Sequence, residues 1–322
     1  MKSQEKNKMK KISFVIILFL SISLLYAENI RIMSFNIGGH ASKNHRISNS
    51  KWVNGISAIM KNSKADIILL QEFPIENHDK QIIDTFINRI GNASWKYFCT
   101  DKYITIKKGS GFDQNSIIFY NFHKVLPTSK KDKVINFESD VRRYNFIKNN
   151  LQVVQFCLSS NQTKEFIIVN VHLPDDNIHY YEDLSELSRL YVDLGKQNKI
   201  IIGGDFNTPR ELLRLDTNGT HFSDAIVDFE FFIGGDFRQS LLTTINKTDD
   251  KIKLCNDYDH FIVKGLKINR GTTHAFNIND PRPRNTYNGG VKIDSNIIYK
   301  SNKKYFKDIS DHFPIIIDVE IE

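Results

Sequence analysis

The sequence contains little cysteine, and its three cysteines are widely separated. Cys99, Cys157 and Cys255 are an odd number, and no C-x-x-C pair or similar metal-ligand spacing connects them. The pattern indicates neither a disulfide framework nor a cysteine-bound zinc. We expect these side chains to pack as small buried hydrophobic groups, with one disulfide plus a free thiol as the alternative. The chain also lacks an H-E-x-x-H pair, which argues against a zinc protease.

Internal repeats, low-complexity tracts and recognisable linkers are absent from the sequence as well. Repeat architectures and a chain of linked domains are therefore not indicated. The composition, 40% hydrophobic and 25% charged, is that of an ordinary globular protein. Because 322 residues can bury one large core, we expect a single domain.

Long apolar runs are missing except near the N-terminus, where Ile12 to Tyr26 follows five lysines. This run is shorter than the ~20 residues that a spanning helix needs. It ends at Leu25-Tyr26-Ala27, and the whole layout predicts a secretory signal peptide over residues 1–27. An uncleaved anchor is the alternative, because Leu25 is larger than the residue preferred at a cleavage site. We expect a secreted or periplasmic domain, residues 28–322, with no stable membrane span after cleavage.

The surplus of positive charge lies largely in this N-terminal segment. Residues 1–27 contribute +4 of the formal net charge of +7, so the remaining chain carries +3. A mildly basic protein is compatible with a polyanionic substrate but does not establish one.

From Glu28 onward, short apolar strands alternate with amphipathic helices. Helical spacing is present in three segments, namely Trp52–Lys61, Ile82–Ile90 and Leu184–Leu194. Strand patterns occupy Ile30–Phe35, Ile67–Leu70, Ser116–Tyr120, Leu151–Leu158, Phe166–Val171, Ile200–Ile202, Phe261–Val263, Ile293–Tyr299 and Ile315–Ile321. We expect two layered sheets flanked by helices.

Five of the apolar strands are followed or preceded by an Asn, Asp, Glu or His. The polar residues are Asn36, Glu72, His172, Asp205 with Asn207, and Asp311 with His312. In an extended chain, residues i and i+2 project to the same side, so Asp205 and Asn207 can reach one point. A simple turn is the alternative for that segment, because Gly, Asp, Asn and Pro are common turn residues. If these strand ends share one side of a sheet, their side chains converge.

The converged set suits the hydrolysis of a phosphodiester by water. Glu72, Asp311 and Asn36 offer the oxygen ligands that Mg²⁺ takes. His172 and His312 would flank a phosphate as general base and general acid. Asp205 and Asn207 would position the phosphate or the attacking water. Metal-assisted attack of water needs these parts and no covalent nucleophile.

The same residues carry a resemblance to a known family. The motifs are Ser34-Phe35-Asn36, Leu70-Gln71-Glu72, Asn170-Val171-His172, Gly204-Asp205-Phe206-Asn207 and Ser310-Asp311-His312-Phe313-Pro314. Taken in this order, they resemble the endonuclease/exonuclease/phosphatase superfamily, of which deoxyribonuclease I is the best-known member. The resemblance implies a four-layered α/β sandwich in which two mixed β-sheets pack face to face with helices outside.

The resemblance also implies roles for individual residues. Asn36, Glu72 and Asp311 would bind or organise the divalent metal, and His172 and His312 would be the acid/base pair. Asp205 and Asn207 would contact the scissile phosphate and water. Mg²⁺ is the expected cofactor, with Mn²⁺ as an alternative and Ca²⁺ as a potential structural ion.

Three positions stay open within this resemblance. The aspartate that orients His312 is Asp259 by similarity to deoxyribonuclease I, or Asp294 by similarity to other branches. Deoxyribonuclease I has a Glu that pairs with its first catalytic histidine. In this chain, the residue that orients His172 would be Gln114 or the neighbouring Asp113. Arg142, with the adjacent Arg143, is a candidate for contacting substrate phosphates.

We therefore expect a metal-dependent endonuclease that cleaves DNA without sequence specificity and acts as a monomer. The alternative is a sphingomyelinase-type phospholipid phosphodiesterase or an inositol-phosphate phosphatase of the same superfamily. A membrane-contacting hairpin would favour the lipid enzyme, and Phe229-Glu230-Phe231-Phe232-Ile233 is the candidate segment. We interpret that segment as a buried strand. A third reading is a binding protein or toxin subunit with weak catalysis.

Overall fold

The structure is a computed structural model. It describes residues 27–38, 50–74, 79–99, 104–105, 113–128, 151–173, 180–195, 199–209, 213, 230–233, 237–240, 245–248, 251–254, 258–269, 274–275, 310, 312 and 314–322. The helices in these ranges are α1 (Ser50–Ser63), α2 (Asp79–Ile90) and α3 (Tyr180–Gly195), with a 3₁₀ turn at Asn92–Ser94. None of them has the length and apolar character of a membrane-spanning segment.

The strands are numbered in chain order. They are β1 (Glu28–Asn36), β2 (Ile67–Pro74), β3 (Trp95–Cys99), β4 (Ile104–Thr105), β5 (Asp113–Asn121), β6 (Val125–Pro127), β7 (Leu151–Leu158), β8 (Glu165–His172), β9 (Ile200–Asp205), β10 (Glu230–Ile233), β11 (Phe237–Ser240), β12 (Ile245–Thr248), β13 (Lys251–Leu254), β14 (Asp259–Lys264), β15 (Lys267–Ile268), β16 (His274–Ala275) and β17 (Ile315–Ile321).

Most of these strands form two sheets. Sheet A has the order β15-β17-β1-β2-β5-β3, with β16 beside β17 and β4 beside β5. Sheet B has the order β14-β9-β8-β7-β6. Each sheet contains one parallel pair, β1 with β2 in sheet A and β8 with β9 in sheet B, and the other pairs are antiparallel. The two parallel strands of each sheet end at the same edge.

Three apolar clusters hold four layers together. The central cluster lies between the sheets and includes Ile32 and Ile317 of sheet A and Ile168 and Phe261 of sheet B. A second cluster packs α1 and α2 on the outer face of sheet A, and a third packs α3 on the outer face of sheet B. The expected four-layered α/β sandwich with two mixed β-sheets packed face to face is therefore confirmed.

The periodic segments predicted the helices and most strands of the sandwich, but one detail differs. The strand predicted at Ile67–Leu70 continues to Pro74 through an irregularity between Leu70 and Phe73. The segment interpreted as a buried strand contains the strand β10, which forms a two-stranded sheet with β11 among the described residues. The burial of its side chains lies outside the described part of the chain. The strand predicted at Ile293–Tyr299 lies outside the described residues.

The cysteine prediction is tested at one position. Cys157 is a free thiol buried in β7. Burial raises the pKa of this thiol, because the thiolate would lose its hydration. The side chains of Cys99 and Cys255 lie outside the described part of the chain.

Candidate active site

Strand alternation directs polar side chains of β1 into the space between the sheets. Ile30 and Ile32 belong to the central cluster, while Met33 and Phe35 belong to the outer cluster under α1 and α2. Because side chains alternate along a strand, Asn36 at the end of β1 faces the opposing sheet. It is fully buried there.

The same rule applies to sheet B. Ile168 of β8 and Ile201 of β9 face the central cluster, so His172 and Asp205 face it four residues further along. His172 and Asp205 are also register partners across the parallel pair. β14 pairs with β9 on the side opposite β8, and Asp259, the first residue of β14, is there the register partner of Asp205. Three neighbouring strands therefore present a polar side chain at one edge of the sheet.

Glu72 reaches the site by a different route. Regular alternation after Ile67 and Leu69 would turn Gln71 inward and Glu72 outward toward the helices. The β2 register shifts between Leu70 and Phe73, and Phe73 returns to the outer cluster. Glu72 is the inserted residue of this bulge and has a left-handed backbone with φ of 54°. The bulge therefore turns the Glu72 carboxylate back toward the cleft between the sheets.

Asn36 joins the carboxylates of the two sheets. Its Nδ2 donates to Glu72 Oε1 at 3.1 Å and to Asp205 Oδ2 at 2.8 Å. Its Oδ1 accepts the backbone N–H of Gly38 at 2.9 Å. Since a backbone N–H can only donate, this bond fixes which end of the Asn36 amide faces the carboxylates. Asn36 thus organises Glu72 and Asp205, which we call the acidic pair.

His172 lies beside both of these carboxylates. Its Nε2 is 3.7 Å from Glu72 Oε1 and 3.7 Å from Asp205 Oδ2. The side chain is only 11% exposed, so it stands at the rim of the buried cluster. These separations are too long for hydrogen bonds, so His172 is close to both carboxylates without being hydrogen-bonded to them through Nε2.

His312 approaches Asp205 from the other side. Its Nδ1 donates to Asp259 Oδ2 at 2.9 Å, and its Nε2 is 3.6 Å from Asp205 Oδ2. A buried carboxylate at Nδ1 fixes the tautomer of the imidazole and stabilises the protonated ring. The neutral ring then carries its lone pair on Nε2, which faces the cleft. Of the two candidate orienting residues, Asp259 occupies this place, and Asp294 lies outside the described residues.

Asn207 belongs to a turn that supports Asp205. The Asn207 N–H donates to Asp205 Oδ1 at 2.8 Å, and its Nδ2 donates to the carbonyl of Leu173 at 2.7 Å. Its φ of 46° is a left-handed conformation that Asn tolerates. The segment is therefore a turn that also aims Asp205 into the site. Ser310 ties the last motif to β1, since its Oγ donates to the carbonyl of Asn36 at 2.8 Å.

The donor set fits a hard divalent cation. Glu72, Asp205 and Asp259 bring three buried carboxyl groups together. Ligand atoms of Asp205, Asp259 and His312 all lie within 4.8 Å of one another. Carboxylate oxygens are preferred by Mg²⁺, Mn²⁺ and Ca²⁺, and a cation offsets the repulsion among such groups.

The structure brings together most of the residues singled out in the sequence. The side chains of Asn36, Glu72, His172, Asp205, Asp259 and His312 form one chain of contacts at the end of the sandwich. Asn207 joins it through its backbone N–H, while its side-chain amide donates to the carbonyl of Leu173, so the expected contact of this amide with phosphate is not prepared in the structure. Asp311, Arg142 and Arg143 lie outside the described residues. Asp113 and Gln114 belong to β5, and their side chains are outside the described part.

Sequence reasoning missed a layer of polar side chains directly beneath the site. We call Ser34, Gln71, Gln152 and Asn170 the amide layer, after the three amides it contains. All four are buried between the sheets. The sequence does indicate two members of this layer. Ser34 and Asn170 precede the site residues Asn36 and His172 by two positions, so they lie on the same face of their strands.

Comparison with solved structures shows extensive similarity of fold. An endonuclease/exonuclease/phosphatase family protein of Bacteroides thetaiotaomicron has a TM-score of 0.56 and 14% identity, covering 92% of this chain and 99% of that chain. A mannosyl-6-phosphatase of the same organism has a TM-score of 0.56 and 15% identity, covering 90% of this chain and 99% of that chain. TDP2 of D. rerio, complexed with a single-strand DNA product, has a TM-score of 0.52 and 13% identity, covering 91% of this chain and 99% of that chain.

A family-level comparison agrees with the fold. No curated protein sequence matches this chain. The sequence pattern of the endonuclease/exonuclease/phosphatase family, however, matches residues 33–312, a range that includes every candidate site residue from Asn36 to His312. Members of this family are divalent-metal-dependent hydrolases that act on phosphoester bonds. The protein belongs to the endonuclease/exonuclease/phosphatase family.

Proposed function

We propose that the protein is a secreted or periplasmic, Mg²⁺-dependent phosphodiesterase that cleaves DNA as a non-specific endonuclease. The proposal takes residues 1–27 as a signal peptide that is removed on export. It takes the remaining chain as one catalytic domain that acts as a monomer.

One observation carries the proposal, namely two imidazoles whose Nε2 atoms both approach the buried carboxylate of Asp205. His172 Nε2 lies 3.7 Å from Glu72 Oε1 and Asp205 Oδ2, and His312 Nε2 lies 3.6 Å from Asp205 Oδ2. The hydrolysis of a phosphodiester needs one group that takes a proton from water and one that gives a proton to the leaving oxygen. Two histidines facing one point supply both.

The surroundings of the two rings suggest how the roles divide. His312 accepts the proton of the attacking water at Nε2, and the resulting positive ring is stabilised by Asp259 through Nδ1. His172 in its protonated form donates from Nε2 to the leaving oxygen. Asp205, held by the Asn36 amide and the Asn207 N–H, orients the water.

Glu72 and the predicted ligand Asp311 would hold the divalent cation, and Asn36 would orient Glu72. The neighbouring group of Asp205, Asp259 and His312 is assigned to the attacking water and its proton instead, because Asp259 and His312 are hydrogen-bonded to each other. When bound, the cation supplies charge stabilisation for the phosphoryl oxygens as they become more negative.

Three observations support DNA as the substrate. The D. rerio relative by fold was solved with a single-strand DNA product. The chain after residue 27 carries a formal charge of +3, which favours approach to a polyanion. The segment Tyr258-Asp259-His260 is similar to deoxyribonuclease I, and Asp259 occupies the place that this similarity implies.

The first experiment measures plasmid nicking by the mature protein. We expect cleavage with Mg²⁺ or Mn²⁺, none after EDTA treatment, and recovery when Mg²⁺ is restored. His172→Ala and His312→Ala should each lower the rate about 10²- to 10⁴-fold while the proteins remain folded by circular dichroism. A protein that cleaves sphingomyelin or inositol phosphate but not DNA would refute the nuclease.

A second experiment separates the two histidines. Bis(4-nitrophenyl) phosphate has a leaving group that needs no protonation. His172→Ala should therefore lose much less activity on this substrate than on DNA, whereas His312→Ala should lose activity on both. Equal losses for the two variants on both substrates would contradict the division of roles.

The lipid enzyme stays the second candidate because of the hairpin β10–β11. Among the described residues it forms a two-stranded sheet of its own, and it carries Phe231 and Phe232 in sequence. A hairpin of this kind suits contact with a lipid surface. Assays with sphingomyelin vesicles, inositol phosphates and DNA run in parallel distinguish the candidates, since each predicts a different preferred substrate.

A further inference from the structure

The amide layer connects the two sheets directly beneath the site. Asn170 of β8 donates from Nδ2 to the carbonyls of Leu70 at 3.0 Å and Ile117 at 3.4 Å, both in sheet A. Its Oδ1 accepts a hydrogen bond from Gln71 Nε2 at 2.7 Å. Gln71 Nε2 also donates to Ser34 Oγ at 3.1 Å. One side chain of sheet B thus contacts β2, β5 and the Gln71 side chain at once.

These contacts lie at the start of the β2 bulge. Leu70 and Ile117 are the last regular register pair before the irregularity. Gln71 immediately precedes Glu72, whose φ of 54° costs a non-glycine residue free energy. Such a conformation persists only where its surroundings hold it. The bonds from Asn170 fix the residues on which the bulge is built.

Stability alone does not explain a polar layer at this depth. Neighbouring inward positions on the same strands are apolar, for example Leu69 and Ile168. Burying an amide costs more than burying a hydrocarbon unless its hydrogen bonds are satisfied. Gln71 Oε1 and Gln152 Oε1 accept no hydrogen bond from any described residue.

The geometry points to Asn170 and Gln71 as positioning residues for the Glu72 carboxylate, an inference that rests on the proposed function. Asn170 and His172 lie on the same face of β8. Asn170 therefore sets the spacing between the sheets one layer below the point where Glu72 Oε1 and His172 Nε2 stand 3.7 Å apart. Without it, the bulge relaxes and Glu72 leaves the cation site.

The test uses Asn170→Leu, with Gln152→Leu as the matched control. Gln152 is buried in the same layer and is the register partner of Asn170 on β7, but no bond from it to β2 is seen in the described residues. Mn²⁺ binding is measured by electron paramagnetic resonance well below the unfolding temperature, and DNA cleavage is measured with saturating metal.

We expect Asn170→Leu to weaken Mn²⁺ binding about 10- to 100-fold, as is usual for residues that support a metal ligand. Gln152→Leu should stay within about twofold of the wild type. Gln71→Leu should weaken Mn²⁺ binding less than Asn170→Leu, because it removes the Gln71–Asn170 bond but leaves the two bonds from Asn170 to the carbonyls of Leu70 and Ile117. The double variant should be little worse than Asn170→Leu, because Asn170→Leu already removes the shared bond. A crystal structure of Asn170→Leu should show Glu72 displaced from the left-handed region.

Two outcomes would overturn the inference alone. They are an Asn170→Leu protein with wild-type Mn²⁺ affinity, and an equal loss of affinity in Gln152→Leu. A wild-type protein that neither binds Mn²⁺ nor cleaves a phosphoester would overturn the proposed function, and the inference with it.

Discussion

Replacing Asp259 by Asn tests the arrangement around His312 most directly. In the protein, Asp259 Oδ2 accepts the proton of His312 Nδ1 at 2.9 Å, and both residues are buried. An Asn side chain of the same shape can instead turn its NH₂ group toward Nδ1. The imidazole would then carry its proton on Nε2 and could no longer accept a proton from water there.

The expected size of this effect follows from the two roles of the contact. Loss of the general base costs about 10²- to 10⁴-fold in rate. The corresponding substitution in serine proteases, which produces the wrong tautomer, lies near 10⁴. We therefore expect kcat to fall about 10³- to 10⁴-fold, or about 4 to 5.5 kcal/mol of transition-state stabilisation. KM for DNA should change little, since the role proposed for Asp259 is to orient His312 and not to bind DNA.

Asp318→Asn is the matched control. Asp318 is also a buried aspartate at a sheet position, but it pairs with Arg31 through two contacts of 2.7 Å, from Nε to Oδ1 and from Nη2 to Oδ2. Its replacement should cost about 1 kcal/mol or less of stability, because Arg31 is partly exposed, and should leave kcat unchanged.

The assay measures plasmid nicking under saturating Mg²⁺, together with urea unfolding of each variant. A folded Asp259→Asn protein that keeps more than a tenth of the wild-type kcat would refute the role of the Asp259–His312 contact. Equal losses of kcat in the two Asn variants would show that the effect comes from general destabilisation.

Two further predictions concern stability. Burial raises the pKa of Asp66 above its usual value of 3.8, although the hydrogen bond from the Arg31 N–H partly lowers it again. The free energy of unfolding therefore falls as the pH rises from about 4 through the raised pKa, because the buried carboxyl group must then ionise. Asp66→Asn should raise the free energy of unfolding in urea at pH 7, and it should make no difference at pH 3, where Asp66 is protonated in the folded and unfolded protein. A variant less stable than the wild type at pH 7 would contradict the reasoning. Gly203→Ala should lower that free energy by about 1 to 3 kcal/mol, because the added methyl group would overlap the Phe261 ring on the neighbouring strand and lie 3.0 Å from Leu69 Cδ1. An unchanged urea midpoint would show that the Phe261 ring can move aside at little cost.

The regular parts of the fold could be predicted because their side chains repeat with a fixed period. Alternation of apolar and polar residues identified β1, and a continuous apolar run identified β8. Apolar residues spaced three and four positions apart identified α1. The short strand β3 was missed, because Trp95–Cys99 is neither an uninterrupted aliphatic run, as Ile67–Leu70 is, nor a strict alternation of apolar and polar residues. Its sequence therefore matches neither of the patterns that predicted the other strands.

The bulge at Glu72 could not be predicted from alternation, because a bulge is a break in that alternation. The pattern Ile67, Leu69, Gln71 places Glu72 on the wrong face. Nothing in the side chain of Glu marks it for a left-handed backbone, unlike Asn207, whose residue type tolerates it. Family resemblance named Glu72 as a site residue, and only the coordinates show how it reaches the site.

The convergence of the strand ends was a conditional prediction. It depended on β1 with β2 and β8 with β9 being parallel pairs whose ends meet at one edge, which local sequence does not determine. Asp259 illustrates the limit. It lies at the beginning of an antiparallel strand, and it meets Asp205 only because β14 is the neighbour of β9.

The backbone at Glu72 has a consequence for how this protein balances function against robustness. Glycine adopts a φ of 54° without the steric cost that any residue with a Cβ incurs. Glu72→Gly would therefore relieve local strain while deleting the carboxylate on which activity is proposed to depend. A screen for thermostable variants that ignores turnover would favour glycine at this position, and it would select an inactive protein.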